Sequence, residues 1–224
     1  MKRLILILTL LFVTLSAYAG ARNENGWTAV GVSWATQREK QGGIDYTAKM
    51  SSFCIDIDSY QFQNDSNWGF FMHAALGFPQ RGTIESGGTG VSVRLRDYYD
   101  TLFGISETFG FGYKANINEN TLFVFGIGPD LKMLIANNKY IGNFSFMLGI
   151  GGDIGLKVDL TDLIGIRVGS ILAFDFASHT TIFLDDEKYS AWASKYRLFT
   201  LQPYICLSFS YNYDENGKRH WSKL

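Results

Sequence analysis

Residues 143–177 read NFSFMLGIGGDIGLKVDLTDLIGIRVGSILAFDFA, two runs of strand length joined by Asp159-Leu160-Thr161-Asp162. In the first run Phe144, Phe146, Leu148, Ile150, Ile154, Leu156 and Val158 share one face, and Asn143, Ser145, Gly149, Gly151, Asp153, Gly155 and Lys157 share the other. The second run repeats the pattern, with Ile164, Ile166, Val168, Leu172, Phe174 and Phe176 against Gly165, Arg167, Gly169, Ala173, Asp175 and Ala177. Successive strand side chains point to opposite faces, so a period of two over this length predicts a hairpin with one apolar face and one small, polar face.

The same alternation extends outward in both directions. It predicts further strands over about 27–38, 46–60, 67–78, 98–114, 121–135 and 196–213, eight in all with the opening hairpin. Shorter turns after the second, fourth and sixth strands leave both termini on their side. The long connections 80–97 and 179–195 lie on the opposite side, with Arg94 and Arg96 at one tip and Asp185, Asp186 and Glu187 at the other. The fold class expected is all-β, an eight-stranded antiparallel up-and-down transmembrane β-barrel over residues 20–213, followed by an irregular polar tail, 214–224.

Alternation alone does not say which face points outward. A water-exposed face is rich in Lys and Glu, whereas the polar face here is mostly Gly, Ser, Ala and Thr with isolated charges. Small residues suit the concave lining of a narrow barrel and bulky Phe, Ile and Leu suit lipid, so an inside-out barrel is preferred to a soluble, ligand-binding one. Charged residues make up 18%, below the roughly 25% of soluble domains, which points the same way. Aromatics band at two levels. Trp68, Tyr113, Phe123, Tyr211 and Tyr213 lie near the short turns, and Trp34, Phe78, Tyr98, Tyr99, Tyr140 and Phe176 lie near the long loops, as expected at two membrane interfaces.

Residues 1–19 place Lys2 and Arg3 before an apolar run from Leu4 to Leu15 and end in Ala17-Tyr18-Ala19, the pattern of a cleaved secretory signal peptide. That run is shorter than the ~20 residues of a spanning helix. The two cysteines, Cys54 and Cys206, fall on strands separated by one other strand. Two spacings of ~4.8 Å exceed the ~7 Å reach of a disulfide between Cα atoms, so two free thiols are expected. A net charge of −1 offers no basic footprint for nucleic acid.

Taken together, the strands and the aromatic ending Ser208-Phe209-Ser210-Tyr211-Asn212-Tyr213 resemble the small eight-stranded outer-membrane barrels of Gram-negative-type bacteria, the OmpA transmembrane domain, OmpX and OmpW. The resemblance covers nearly all of the chain after the signal peptide and is architectural. It implies residence in the bacterial outer membrane, contact with outer-membrane lipid, recognition of the last strand by barrel-assembly machinery, and loops that meet an extracellular ligand or host factor. Here the chain continues for eleven residues past Tyr213.

The inward-facing charged set is Asp56, Asp58, His73, Asp130, Lys132, Asp153, Lys157, Arg167 and Asp175. Counting back from the 159–162 turn sets Asp153 opposite Arg167 within about one register step, which predicts a cross-strand ion pair. Both signs inside a narrow barrel make a mutually satisfied plug; a gated ion path is the sharper alternative. Glu107 breaks the pattern, because its parity puts a carboxylate on the lipid face near mid-membrane. Counting around the 116–120 turn brings Pro129 opposite, and a bulge that turns Glu107 inward is expected there. The alternative is a weakened seam that passes an apolar ligand sideways, as the OmpW resemblance would imply.

No metal-ligand spacing, phosphate-cradling loop or nucleotide motif is present, so no cofactor is expected. His179, beside Ser178 and Thr180, and His73 are isolated polar groups without the nucleophile-base pattern of an enzyme. The favoured function is a surface-exposed structural or interaction protein with a plugged lumen. Its rivals are a narrow transporter for small or apolar solutes and an outer-membrane lipid-modifying enzyme that uses His179.

Overall fold

A computed structural model describes residues 24–40, 42, 47–63, 66–86, 89–184, 187–193, 195–213 and 219–220. The segment read as a signal peptide and the loop residues Asp185 and Asp186 lie outside the described residues. Eight long antiparallel strands form the wall: β1 (Glu24–Lys40), β2 (Thr47–Gln63), β3 (Trp68–Ser86), β5 (Thr101–Asn118), β6 (Thr121–Asn137), β7 (Ile141–Asp159), β8 (Ile164–Leu184) and β10 (Arg197–Tyr213). Each pairs with the next, and β10 pairs with β1 from Asn212 opposite Asn25 to Arg197 opposite Lys40. The ring is closed, and closure removes the unpaired edges that an open sheet would leave in lipid.

Exterior positions follow the period-two pattern. Val30, Val32, Ile55, Ile57, Phe70, Phe125, Ile127, Ile154, Val168, Leu172, Ile205 and Leu207 are exposed on the outside of the ring. Trp68 on the turn side and Trp34, Tyr98, Tyr140 and Phe176 on the loop side are exposed at its margins. Tyr211 departs from the girdle expected of it, being fully buried at the β10–β1 seam, where it lies opposite Gly26.

The wall strands run to 17–21 residues, although only about 9–11 are needed to cross hydrocarbon. The surplus corrects the expectation of two long loops. Residues 81–86 of β3 continue into a ribbon with β4 (Thr89–Arg94), followed by a short 3₁₀ turn, Leu95–Asp97. Residues 179–184 of β8 pair likewise with β9 (Glu187–Trp192). Both stretches carry the Thr, Val, Ile and Phe alternation of strands, which is what extends the ladder past the membrane.

Arg94 and Arg96 therefore stand at the base of the first ribbon, not at a tip, and among the described residues no ion pair joins them to Glu187. Glu187 instead accepts the Tyr189 hydroxyl, and that hydrogen bond raises the phenol above its ordinary range. The tail expected to be irregular contributes a two-residue strand, β11 (Arg219–His220), paired with Asn212 and Tyr213.

Candidate functional site

The lumen divides into two halves of different construction. On the turn side Trp27, Tyr60, Phe62, Phe71 and Val124 pack as a fully buried cluster. Trp27 stacks on Tyr60 with ring centroids 5.0 Å apart, and Tyr60 lies 5.5 Å from Phe71. These rings fit because the wall opposite them is glycine. A Cβ at Gly126 would lie 2.7 Å from the Phe71 ring, and one at Gly112 would lie 3.0 Å from Tyr60. Lys157 and Lys114 close the layer from the turn side, their amines 5.3 Å from the Trp27 ring and 4.6 Å from the Phe62 ring. Lys157 is also bound by Asp159 and Ser210.

Above the rings lies the charged layer. The Arg167 guanidinium is held between the carboxylates of Asp58 and Asp153 and over the Tyr60 ring, 4.5 Å away. Asp153 also accepts the Tyr60 and Tyr204 hydroxyls, each at 2.7 Å. Gly169 makes room for Tyr204, since a Cβ there would come within 2.3 Å of its hydroxyl. One level higher, Asp56 accepts from Ser33 at 3.0 Å and Gln202 at 2.8 Å, with His73 Nε2 at 3.1 Å. Across the lumen Lys132 bridges Asp130 and Asp175, and Thr108 donates to Asp130 at 2.5 Å. All nine residues of the inward-facing set are buried. A buried charge is costly unless it is paired, and here each cation meets a carboxylate, while Asp56 Oδ2, Asp58 Oδ1, His73 Nδ1, Arg167 Nε and Asp175 Oδ1 have no hydrogen-bond partner among the described residues.

The Arg167–Asp153 contact forms by a different route from the one counted on the sequence. Arg167 stands opposite Lys157, and Asp153 stands opposite Ile171. The turn pairs Asp159 with Gly165, so the two partners are offset along the hairpin and the long Arg167 side chain spans the offset.

Glu107 requires a larger correction. No register shift occurs beside it; it stands opposite Ala74 on β3 and Leu131 on β6, not opposite Pro129. The strands pair into the segment read as a turn, Asn118 with Thr121, and the register shift falls between Asn116 and Asn118, which moves the count by two. With Ser106 and Thr108 facing the lumen, Glu107 keeps its exterior parity. Neighbouring side chains of the belt leave it 6% exposed, and no hydrogen bond or ion pair reaches its carboxyl among the described residues.

The irregularity of this seam lies one step further on. Pairing lapses across Phe109 and Gly110 against Gly128 and Pro129, then resumes at Phe111 and Ile127 with the register unchanged. Pro129 has no N–H for the ladder. Gly110 has φ +153°, and a Cβ on Gly128 would lie 1.9 Å from the Phe109 carbonyl oxygen. The seam is thus closed by direct backbone approach.

The loop-side half is a cavity of about 270 Å3. Cys54, Ser52, Ser106, Lys132 and Gln202 form its floor, directly above the charged layer. Its walls are chiefly apolar, with Ala35, Met50, Ile105, Leu134, Met147 and Leu198 among them, and the ribbon base adds Ile84, Val93 and Leu95. Cys54 and Cys206 are both free and buried; Cys54 borders the cavity and Cys206 belongs to the turn-side cluster.

The two histidines outside any motif stay apart. His73 is part of the Asp56 network, and the His179 ring meets Trp192 across the second ribbon at 5.1 Å. Among the described residues no hydroxyl is hydrogen-bonded to either imidazole.

The aromatic seal was not read from the sequence, although the period-two pattern of β3 sets Phe71 on the same face as His73. The available signal was the clash of type: a bulky ring between Gly69 and His73 on a face otherwise lined by small residues marks a filled lumen.

No protein-family model matches the chain, and no curated protein matches it either. Some solved structures align with most of the chain at low identity. Neisserial surface protein A is 12% identical, with a TM-score of 0.43 over 80% of this chain and 96% of that one. Ail, the attachment invasion locus protein of Yersinia pestis, solved with a heparin analogue, is 14% identical, with a TM-score of 0.40 over 82% and 99%. The outer-membrane protease OmpT of Escherichia coli is 8% identical, with a TM-score of 0.41 over 85% and 97%.

Proposed function

We propose that the chain is exported behind a cleaved N-terminal segment, inserts in the bacterial outer membrane, and works there as a surface-exposed interaction protein whose barrel does not conduct. The observation that carries this reading is the seal: Trp27, Tyr60, Phe62, Phe71 and Arg167 are each fully buried across the turn-side lumen. Above it the two ribbons expose Ile84, Val91, Ile182, Tyr189 and Trp192 beyond the apolar belt, the kind of surface a partner covers. Insertion by the assembly machinery and contact with an extracellular ligand or host factor belong to the same reading. His179 lies against Trp192, and among the described residues no hydroxyl is hydrogen-bonded to it, which favours binding over lipid modification; a His179→Ala variant is expected to leave membrane lipid unchanged.

The test is single-channel recording in planar bilayers with refolded residues 20–224 and an Arg167→Ala variant. A silent bilayer with inserted protein is expected of the native chain. Stepwise ion currents from it would replace this reading with that of a pore.

A second reading is favoured by the loop-side cavity: the cup holds a small apolar solute. Its volume exceeds that of apolar cavities of about 150 Å3 that take up benzene. An apolar solute that slows modification of Cys54 by a thiol reagent supports it.

A further inference from the structure

The outer surface just above the apolar belt gathers five cations on one side, whereas the opposite side shows Lys139 and Lys188. Arg38 and Lys40 on β1, Arg81 on β3, Arg94 on β4 and Arg197 on β10 are all exposed there. The register brings them together: Lys40 stands directly opposite Arg197, and Arg81 directly opposite Arg94. Arg38 pairs with Lys49 on β2, which is itself occupied by Glu85 at 2.6 Å. None of the five other cations has an ion-pair partner among the described residues. Like charges set directly across a ladder destabilise it, so each of these two pairs, which stand four residues apart along the strands with β2 between them, leaves an electrostatic deficit that an anion would relieve.

Immediately below, Trp34, Phe53 and Phe199 are exposed at the top of the apolar belt. Trp34 and Phe53 border a shallow external cleft with Ser51, Gln80 and Arg81. The cleft has a structural cause. The β2–β3 register shifts between Ser51 and Ser52, leaving Gln80 as an extra residue on β3 that bends the strand at this level. The corresponding ends of β5, β6 and β7 carry Thr101, Asn137 and Ile141, and Lys139 stands in the turn beyond, over Tyr140.

We propose that the β10–β1–β2–β3 face binds a phosphate-bearing lipid of the surrounding leaflet. Its phosphate groups lie among Arg38, Lys40, Arg81, Arg94 and Arg197, and its acyl chains lie along Trp34 and Phe53. Arginine forks suit phosphate oxygens, and the cleft offers an apolar seat within one side-chain length of them. The occupant is a lipid, not a soluble phosphate ester, because the cations stand at the edge of the lipid-facing belt. The inference rests on the membrane-inserted barrel proposed above.

Native mass spectrometry of the refolded barrel, released from neutral detergent with graded dioleoyl phosphatidate, tests it. Heat-modifiable migration of the same samples reports folding, so a chain that fails to form the barrel counts against the membrane reading and not against the lipid site. One tightly held phosphatidate is expected. An Arg38→Gln/Arg81→Gln/Arg94→Gln variant should bind it on the order of a hundredfold more weakly. Lys139→Gln, on the other side, should bind as the native chain does.

A folded triple variant that keeps native affinity overturns the proposal, as does equal binding of dioleoyl phosphatidylethanolamine. Glycerol 3-phosphate that binds as well as phosphatidate would assign the cations to a soluble anion and overturn the lipid assignment.

Discussion

The two halves of the lumen are built from the same strands and the same period-two pattern, yet one is solid and the other hollow. The turn-side half sets large rings against glycines, so each missing side chain on one wall is filled by a ring from another. The loop-side half sets medium apolar side chains and Tyr196 around Lys132, Gln202 and Cys54, and leaves about 270 Å3 open between them. Glycine on the inner face is therefore ambiguous by itself; what stands opposite decides whether it marks a seat or a space.

The largest expected break in this contrast is Arg167→Ala. It leaves Asp58 and Asp153 buried without their cation, a change that costs about 3–5 kcal/mol. Urea unfolding of the bilayer-folded barrel, followed by tryptophan fluorescence, measures it; a loss below about 1 kcal/mol would mean that the charged layer does not act as a unit.

A pair of glycine variants sharpens the comparison directly. Gly126→Ala drives a methyl into the Phe71 ring and should cost about 1–3 kcal/mol. Gly77→Ala, beside the cavity, meets nothing nearer than Cys54 Sγ at 3.4 Å and should stay within about 0.5 kcal/mol of the native chain. Equal costs in the same unfolding assay would erase the distinction between the halves.

Glu107 extends the comparison to the outside, where a carboxyl lacks the partners that the interior acids possess. Replacing it with leucine is expected to stabilise the barrel by about 1–2 kcal/mol in bilayers. Destabilisation would show that the carboxyl has a partner in the membrane. The gentlest probe leaves stability unchanged: a small methanethiosulfonate added from the loop side should modify Cys54 well before Cys206, and equal rates would place both thiols in one compartment.

Most of the wall was legible in the sequence because each strand has a consistent apolar parity, and closure follows from the number of strands and the orientation of the chain ends. The ribbons were not, since their alternation of moderate residues reads equally well as loop until a partner strand is known. The inward acids and bases could be selected by parity, but their pairing could not, because long side chains reach along the lumen past the residue they face. Glu107 shows the limit clearly. Its exterior parity was read correctly, and the inference that failed was the bulge introduced to avoid it, which rested on a turn counted two positions wrong.

Because β10 is the partner of β1, the first strand synthesised has no hydrogen-bonding mate on one edge until the chain has been made past residue 197. A wall of this connectivity cannot be laid into the bilayer strand by strand during translation. The polypeptide must wait, with its first edge shielded, until the last strand is available to complete the ring.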